Sequence, residues 1–200
     1  MTSEQQCNSV KLEVYQAAKK GNHYCGDSYY VKETEDYFLC VMADGLGSGE
    51  YAMKASSAIT NVVSLYPHAD VEELMRRCND ATKNTRGAAV AVLKFYKKTF
   101  QFVYSNIGNI RFYLYSPDGK LTYPLPIKGF LSGKIQRFRT QVFSFEPGSR
   151  FLIHTDGLNL REIKSVFSKT SKIQQMSTEL QSKIISNDDD ITYVIGHITV

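Results

Sequence analysis

The run Tyr37-Phe38-Leu39-Cys40-Val41-Met42-Ala43 leads directly into the pair Asp44-Gly45. A short, uninterrupted apolar run of this kind predicts a strand that is buried on both faces. A second run has the same organisation, because Arg150-Phe151-Leu152-Ile153-His154-Thr155 leads into Asp156-Gly157. Each predicted strand therefore carries a carboxylate on a rigid support at the edge of a hydrophobic layer.

Two further acidic positions stand next to predicted strands. Gly26-Asp27-Ser28 precedes the strand Tyr29-Tyr30-Val31, and Asp188-Asp189-Asp190 precedes the last strand, residues 191–195. Each position alone is typical of an ordinary turn or loop. Carboxylates that fold together are costly unless a cation neutralises them, and oxygen ligands without His or Cys favour Mg²⁺ or Mn²⁺. The joint pattern predicts a metal site suited to chemistry on phosphate.

The order of the predicted elements indicates the fold class. Helical periodicity covers residues 50–65, and a second helix starts at Asp70, with Glu73 completing a capping box. Strands fill residues 88–151, and two helical stretches follow at roughly 160–167 and 172–185. Strands in blocks and helices in pairs predict an α+β fold with two mainly antiparallel sheets. The 200 residues, 1–200, fit one domain.

Composition and charge exclude several other classes of protein. The net charge is +4, but lysine and arginine are scattered without a basic stripe, which argues against a nucleic-acid partner. The start of the chain is polar, unlike a signal peptide, and no apolar stretch approaches the roughly 20 residues of a membrane span. Four cysteines without C-x-x-C spacing indicate reduced packing residues: Cys7, Cys25, Cys40 and Cys78. We expect a soluble, cytoplasmic protein.

The segment Asp44-Gly45-Leu46-Gly47-Ser48-Gly49 is the densest motif in the chain. Its spacing is G-x-G-x-G, without the third glycine of the dinucleotide fingerprint or the lysine of a P-loop, so a nucleotide site is disfavoured. One remaining interpretation is a turn that needs glycines between a strand and a helix. The other is a metal site, in which Asp44 and the carbonyl group of Gly45 supply oxygen ligands.

The motifs, taken in order, resemble those of PP2C-type metal-dependent Ser/Thr protein phosphatases, in the SpoIIE-like bacterial branch. The resemblance implies a four-layer αββα sandwich with the metal ions at one end of two packed sheets. It also implies a role for each acidic position. Asp44 would bridge two Mn²⁺ or Mg²⁺ ions, Gly45 would bind one of them through its carbonyl, Asp156 and Asp189 would complete the shell of the other, and Asp27 would hold a metal-bound water. Whether a third ion binds stays open. The matching segments are Gly26-Asp27-Ser28, residues 41–49, Gly87-Ala88-Ala89, Gly108-Asn109-Ile110-Arg111, Thr155-Asp156-Gly157 and Asp189-Asp190-Ile191-Thr192.

In such an enzyme, water activated by the two cations attacks phosphorus in line, and no protein nucleophile is needed. Two positions depart from the family pattern. Asn22 stands where many members have a phosphate-binding arginine, which leaves the metals, His23 or Lys20 for that role. Leu46 stands where many eukaryotic members have a histidine as candidate general acid.

Two other motifs are interpreted as structural rather than functional. His154, on the strand before Asp156, is interpreted as a packed strand residue, since a lone histidine more often satisfies a local hydrogen bond. Gly108-Asn109-Ile110-Arg111 is interpreted as architectural, with Arg111 in an internal salt bridge.

The sequence thus predicts a monomeric phosphoserine/phosphothreonine protein phosphatase. Its resemblance to phosphatases of the bacterial stress pathway implies phosphorylated stressosome proteins of the RsbS and RsbR type as substrates, and feedback control of the general stress response. The loop from Pro124 to Gln136 is the predicted determinant of substrate choice. The alternatives are a catalytically weak phosphoprotein-binding module of the same fold and, third, a nucleotide hydrolase.

Overall fold

The computed structural model describes residues 2–6, 9–160 and 162–199. Within these ranges the chain forms eleven strands and four helices. In chain order they are β1 (Thr2–Gln6), β2 (Val10–Ala17), β3 (Asp27–Glu33), β4 (Tyr37–Gly45), α1 (Glu50–Leu65), α2 (Val71–Ala81), β5 (Ala88–Tyr96), β6 (Gln101–Ile107), β7 (Arg111–Tyr115), β8 (Leu121–Thr122), β9 (Gln141–Ser144), β10 (Arg150–His154), α3 (Ile163–Lys169), α4 (Ile173–Ser182) and β11 (Ile191–Ile198).

The strands form two sheets whose neighbours are all antiparallel. One sheet has the order β1-β2-β11-β10-β7-β8, and the other has the order β3-β4-β5-β6-β9. The two sheets pack face to face around an aromatic core. In that core Phe38 of the second sheet contacts Phe151 of the first, with ring centroids 5.9 Å apart. The predicted pair of mainly antiparallel sheets is confirmed.

Helices cover the outer face of each sheet. Ile59 of α1 and Leu74 of α2 belong to the core on the outer side of the β3–β9 sheet. Phe167 of α3 and Met176 of α4 belong to the core on the outer side of the other sheet. The molecule therefore has the predicted four-layer αββα arrangement.

Strand β4 shows why an uninterrupted apolar run was needed. Phe38, Cys40 and Met42 point into the core between the sheets, whereas Leu39 and Val41 point toward the helices. These five side chains have no exposed surface. Burying a large apolar side chain contributes about 1.5–3 kcal/mol, so the strand that ends in Asp44 is firmly held.

Helix α1 spans the predicted residues 50–65, and α2 begins as predicted after Asp70. The Asp70 carboxylate accepts the backbone N–H of Glu73 at 2.8 Å. Glu73 does not return this bond with its side chain, as a full capping box requires. Its carboxylate instead pairs with Arg77 at 2.7 Å on the next turn of the helix.

Strand β1 was not expected from the polar N-terminal sequence. Its residues pair with β2 at the edge of the sheet, where Thr2 stands opposite Tyr15. An edge strand is held by backbone hydrogen bonds and needs no apolar alternation, so the pattern gave no signal.

The described cysteines are free thiols, and Cys40 and Cys78 are buried, as expected of packing residues. Cys25 is half-buried, and Cys7 lies outside the described residues. In the described part of the chain, no helix combines the length and the apolar character needed to cross a membrane.

Candidate active site

The four predicted acidic positions lie at one end of the two sheets. Strands β3 and β4 are neighbours, and their register places Asp27 directly opposite Asp44. In the other sheet, the N–H of Thr155, just after β10, donates to the carbonyl of Thr192 on β11 at 3.0 Å. This bond brings the turn that carries Asp156 next to the loop that carries Asp189.

The pKa of Asp44 reflects the proximity of the other carboxylates. Burial raises the pKa of Asp44 to about 8, and repulsion from four other carboxylates adds to that rise. The four are Asp27, Asp156, Asp189 and Asp190. Carboxylates from each of the other three acidic segments singled out in the sequence therefore act on Asp44.

Asp27 is the most enclosed of these acids, with 3% of its surface exposed. Its Oδ2 accepts a hydrogen bond from the Thr155 hydroxyl at 2.8 Å, whereas its buried Oδ1 has no hydrogen-bond partner among the described residues. Burial raises the pKa of Asp27 to about 7, and the Thr155 bond partly offsets that rise. A buried carboxylate oxygen without a partner is costly unless a cation or an ordered water satisfies it.

Asp156 is exposed and is held by Asn109, whose Nδ2 donates to Asp156 Oδ2 at 2.6 Å. Although the residue as a whole is exposed, its carboxyl group is partly enclosed, and this partial burial together with repulsion from Asp189 raises the pKa of Asp156 above its usual range. Asn109 therefore borders the site and holds Asp156 in place, a positioning role that agrees with the interpretation of this segment as architectural. The only signal in the sequence was its place within a family motif.

The two acids before β11 have different surroundings. Asp190 is buried, and its Oδ1 accepts the backbone N–H of Lys19 at 2.8 Å. Asp189 is exposed, and its Oδ1 accepts the N–H of Asp190 at 2.9 Å. Asp190 thus anchors the loop to the segment that follows β2, and Asp189 is the acid at the surface.

A close backbone contact explains why a glycine follows each strand-ending aspartate. A Cβ atom at Gly45 would lie 2.0 Å from the carbonyl oxygen of Ala52 in α1. A Cβ atom at Gly157 would lie 2.1 Å from the carbonyl oxygen of Asp190. Both Asp-Gly pairs therefore mark places where a second element approaches too closely for any side chain.

The donor chemistry fits hard divalent cations. The site offers carboxylates, the carbonyl of Gly45 and the unpartnered Oδ1 of Asp27, all of them oxygen donors of the kind that Mg²⁺ and Mn²⁺ prefer. Across residues 2–6, 9–160 and 162–199, no three acidic, histidine or cysteine side chains are already arranged as a ligand set.

A cavity of about 460 Å³ opens beside Asp44. Leu46, Asn109 and Arg111 line it on the sheet side, and Tyr123 and Lys128 line it from the following loop. Arg111 is exposed and forms no ion pair among the described residues. Its prediction as an internal salt-bridge partner is wrong, because its side chain borders the cavity.

His154 is a packed strand residue, as interpreted. It is fully buried, its ring stacks on Tyr113 with centroids 5.9 Å apart, and its Nδ1 lies 2.7 Å from the carbonyl oxygen of Thr155. Burial lowers the pKa of His154 to about 4. The imidazole is therefore neutral near pH 7 and does not reach the cavity as a general acid.

Thr155 links the two sheets at the site and was missed in the sequence. Its hydroxyl donates to Asp27 of one sheet and accepts the N–H of Thr192 in the other at 2.9 Å. A hydroxyl can do both because it carries one donor and two acceptor lone pairs. Its position directly before Asp156 was the signal that was available.

Substituting Thr155→Val should test this link with little change of volume. The variant leaves Asp27 and the Thr192 N–H without their partner, so we expect a loss of about 1–3 kcal/mol in the free energy of unfolding and a clear fall in kcat. Thermal unfolding and turnover with saturating metal measure both. Thr178→Val removes a hydroxyl from an exposed helical position and serves as the matched control. Equal behaviour of the two variants would contradict a role for Thr155 in the site.

Known proteins share this architecture. Phosphoserine phosphatase RsbX of Bacillus subtilis (strain 168) is 44% identical over 190 residues, which cover 95% of this chain and 96% of that protein. A crystal structure of RsbX in complex with magnesium is 42% identical, with a TM-score of 0.95 and 100% of both chains covered. The structure of the PP2C phosphatase domain of SpoIIE from Bacillus subtilis, with a fragment of its regulatory domain, has 16% identity and a TM-score of 0.82 over 100% of this chain and 64% of that one. The last comparison shows the fold alone.

The αββα fold and the carboxylates gathered at one end of both sheets define a metal-dependent protein phosphatase of the PP2C class. The family described as Stage II sporulation protein E (SpoIIE) matches residues 34–198. The chain belongs to that family.

Proposed function

We propose that this phosphatase removes phosphate from phosphoserine and phosphothreonine at a centre of two Mn²⁺ or Mg²⁺ ions. Asp44, the Gly45 carbonyl, Asp156 and Asp189 would hold these ions through oxygen. Asp27 would hold a water of the metal shell. The observation that carries the proposal is the gathering of these carboxylates at one end of both sheets, with Asp27 directly opposite Asp44 and the Asp156 turn bonded to β11, and the magnesium bound by the relative RsbX supports it.

Bound cations of this kind neutralise the phosphate group and activate water at neutral pH. The chain's own residues hold the arrangement in place. Thr155 fixes the orientation of Asp27, and Asn109 fixes that of Asp156. No cysteine or serine nucleophile would be required, because the bound cations would supply an activated water.

We further propose that the substrates are phosphorylated stressosome proteins of the RsbS and RsbR type, so that the enzyme provides negative feedback on the general stress response. The support is the similarity to phosphoserine phosphatase RsbX along nearly the whole chain. The predicted cytoplasmic location belongs to this proposal, as does the predicted monomeric state. The free thiols of Cys40 and Cys78 agree with a reducing compartment.

The direct test is phosphate release from a phosphorylated RsbS-type protein and from p-nitrophenyl phosphate, with Mn²⁺, Mg²⁺ or EDTA. We expect metal-dependent release from both substrates, abolished by EDTA. A folded, metal-supplied protein that binds the phosphoprotein without releasing phosphate would favour the binding module of the same fold. The full set of acids, Asp27, Asp44, Asp156 and Asp189, argues against that alternative.

The loop from Pro124 to Gln136 is suited to contact a protein substrate. Leu125 is 73% exposed and Ile135 is fully exposed, although both are apolar. The loop is nevertheless anchored on the buried Asn79 of α2. Asn79 Oδ1 accepts the N–H of Gly133 and the side-chain amide of Gln136, both at 3.1 Å, and its Nδ2 donates to the Lys134 carbonyl at 2.9 Å.

Substituting Asn79→Ala should release this loop. The loss of buried hydrogen bonds should lower the free energy of unfolding by about 2 kcal/mol. We also expect KM to rise more for the phosphoprotein than for p-nitrophenyl phosphate, which does not contact the rest of the loop. Asn61→Ala, at an exposed position of α1, is the control. Unchanged kinetics on the phosphoprotein would remove the loop from substrate recognition.

A further inference from the structure

In the family pattern an arginine binds the substrate phosphate, but this chain has Asn22 at that position. The phosphate-binding role is therefore not assigned to any residue. The cavity beside Asp44 is not lined by Asn22, nor by its neighbours Lys20 and His23. The cations in its wall come from elsewhere in the fold: they are Arg111 and Lys128.

Arg111 is placed beside the acidic cluster by the sheet. It opens β7 and stands opposite His154 of β10, two residues before Asp156. Asn109, two residues before Arg111, donates to the Asp156 carboxylate.

Lys128 faces the same cavity from the segment after β8. The carbonyl of Ile127 accepts the N–H of Gly108 at 2.7 Å, which ties this segment to the turn that precedes Asn109. Tyr123, on the same wall, stacks on Tyr113 of β7 with ring centroids 4.8 Å apart. The backbone beside Lys128 is therefore held at the rim of the cavity.

The cavity thus has a carboxylate, Asp44, on one wall and two cations without ion-pair partners among the described residues on the others. A phosphate dianion fits this arrangement. Arg111 and Lys128 can bind its oxygens directly, and the metal ions proposed at the acidic residues can bind it on the side of Asp44. An arginine side chain suits it, because its planar guanidinium donates two parallel hydrogen bonds to phosphate oxygens.

We propose that Arg111 binds the phosphate group of the substrate, assisted by Lys128, in place of the arginine absent at Asn22. The inference deepens the proposed function and rests on the metal site beside it. Arg111 would then bind the substrate, whereas the sequence analysis had interpreted it as a partner in an internal salt bridge.

The test compares Arg111→Ala, Arg111→Lys and Lys128→Ala with the control Arg137→Ala, which removes an exposed arginine outside the cavity wall. Binding of inorganic phosphate to the Mn²⁺-loaded protein is measured by calorimetry, and kcat and KM are measured on p-nitrophenyl phosphate and on a phosphoserine protein. Thermal unfolding checks the fold of each variant.

We expect Arg111→Ala to weaken phosphate binding about 10- to 100-fold, the range for hydrogen bonds to a charged group. The value of kcat/KM should fall by a similar factor on both substrates. Arg111→Lys should recover part of the loss, and Lys128→Ala should have a smaller effect. The Arg137→Ala variant should match the wild type.

Unchanged phosphate affinity in a folded Arg111→Ala variant would overturn the inference. A loss confined to the phosphoprotein would also overturn it, since Arg111 would then bind the polypeptide. Arg111-dependent phosphate binding without turnover in the wild type would uphold the inference and reject the phosphatase proposal. A Mn²⁺-loaded wild type that binds no phosphate would reject this phosphate site.

Discussion

The Asp44→Asn variant should lose at least about a thousandfold in phosphatase activity, because a site that depends on bound cations for several kcal/mol of charge stabilisation loses its central carboxylate. The fold should survive. Asp44 lies at the end of β4, beyond the apolar run that holds the strand between the two cores. The change also removes a charge that four neighbouring carboxylates repel, so the metal-free variant should be at least as stable as the wild type near pH 8.

Asp36→Asn provides the matched control for this variant. Asp36 lies in the turn at the other end of the same β3–β4 hairpin, where it forms an exposed ion pair with Lys98. Such surface pairs contribute little, so activity and stability should both stay close to wild type. Full activity in Asp44→Asn would remove Asp44 from the mechanism, and an unfolded variant would show that Asp44 has a structural role instead.

The stability of the metal-free protein should fall as the pH rises from about 4 to 8. Burial and mutual repulsion raise the pKa of Asp27 to about 7 and that of Asp44 to about 8, whereas an unfolded aspartate titrates near 3.9. Across this interval the folded state therefore binds more protons than the unfolded state, and stability decreases with pH. Divalent metal should reverse the trend, because the metal binds the ionised carboxylates.

Unfolding temperatures measured in EDTA and in saturating Mn²⁺, from pH 5 to 8, test this linkage. Metal at a thousand times its dissociation constant adds about 4 kcal/mol to the free energy of unfolding, and the difference between the two curves should widen toward pH 8. Asp44→Asn should flatten the pH dependence in EDTA and reduce the gain from Mn²⁺. Parallel curves for the wild type with and without metal would contradict a metal site at these carboxylates.

Much of the fold could be predicted from the sequence because its strongest signals are local. The β4 run is apolar at every position, since both of its faces meet a core, and Glu50–Leu65 has its apolar residues at helical spacing. The Asp-Gly pairs were readable for a similar reason, because each glycine is required by a close backbone approach at Gly45 or Gly157. The edge strand β1 could not be read, because backbone pairing alone holds it in the sheet.

The parts of the site that escaped sequence reasoning depend on contacts between distant segments. Thr155 bonds to Asp27 across 128 positions of sequence, and Asn109 bonds to Asp156 across 47. Arg111 was interpreted as a partner in an internal salt bridge, which the described residues do not show. Only the packing of β7 against β10 shows that its side chain borders the cavity instead.

The central claim is that Asp27, Asp44, Asp156 and Asp189 form one metal centre, and a calorimetric titration of the metal-free protein with Mn²⁺ at pH 8 tests it most directly. The predicted result is two tightly bound ions per chain in the wild type and in Asp36→Asn, with tight binding lost in Asp44→Asn. Mn²⁺ binding that is absent from the wild type, or that is equally tight in Asp44→Asn, would contradict it.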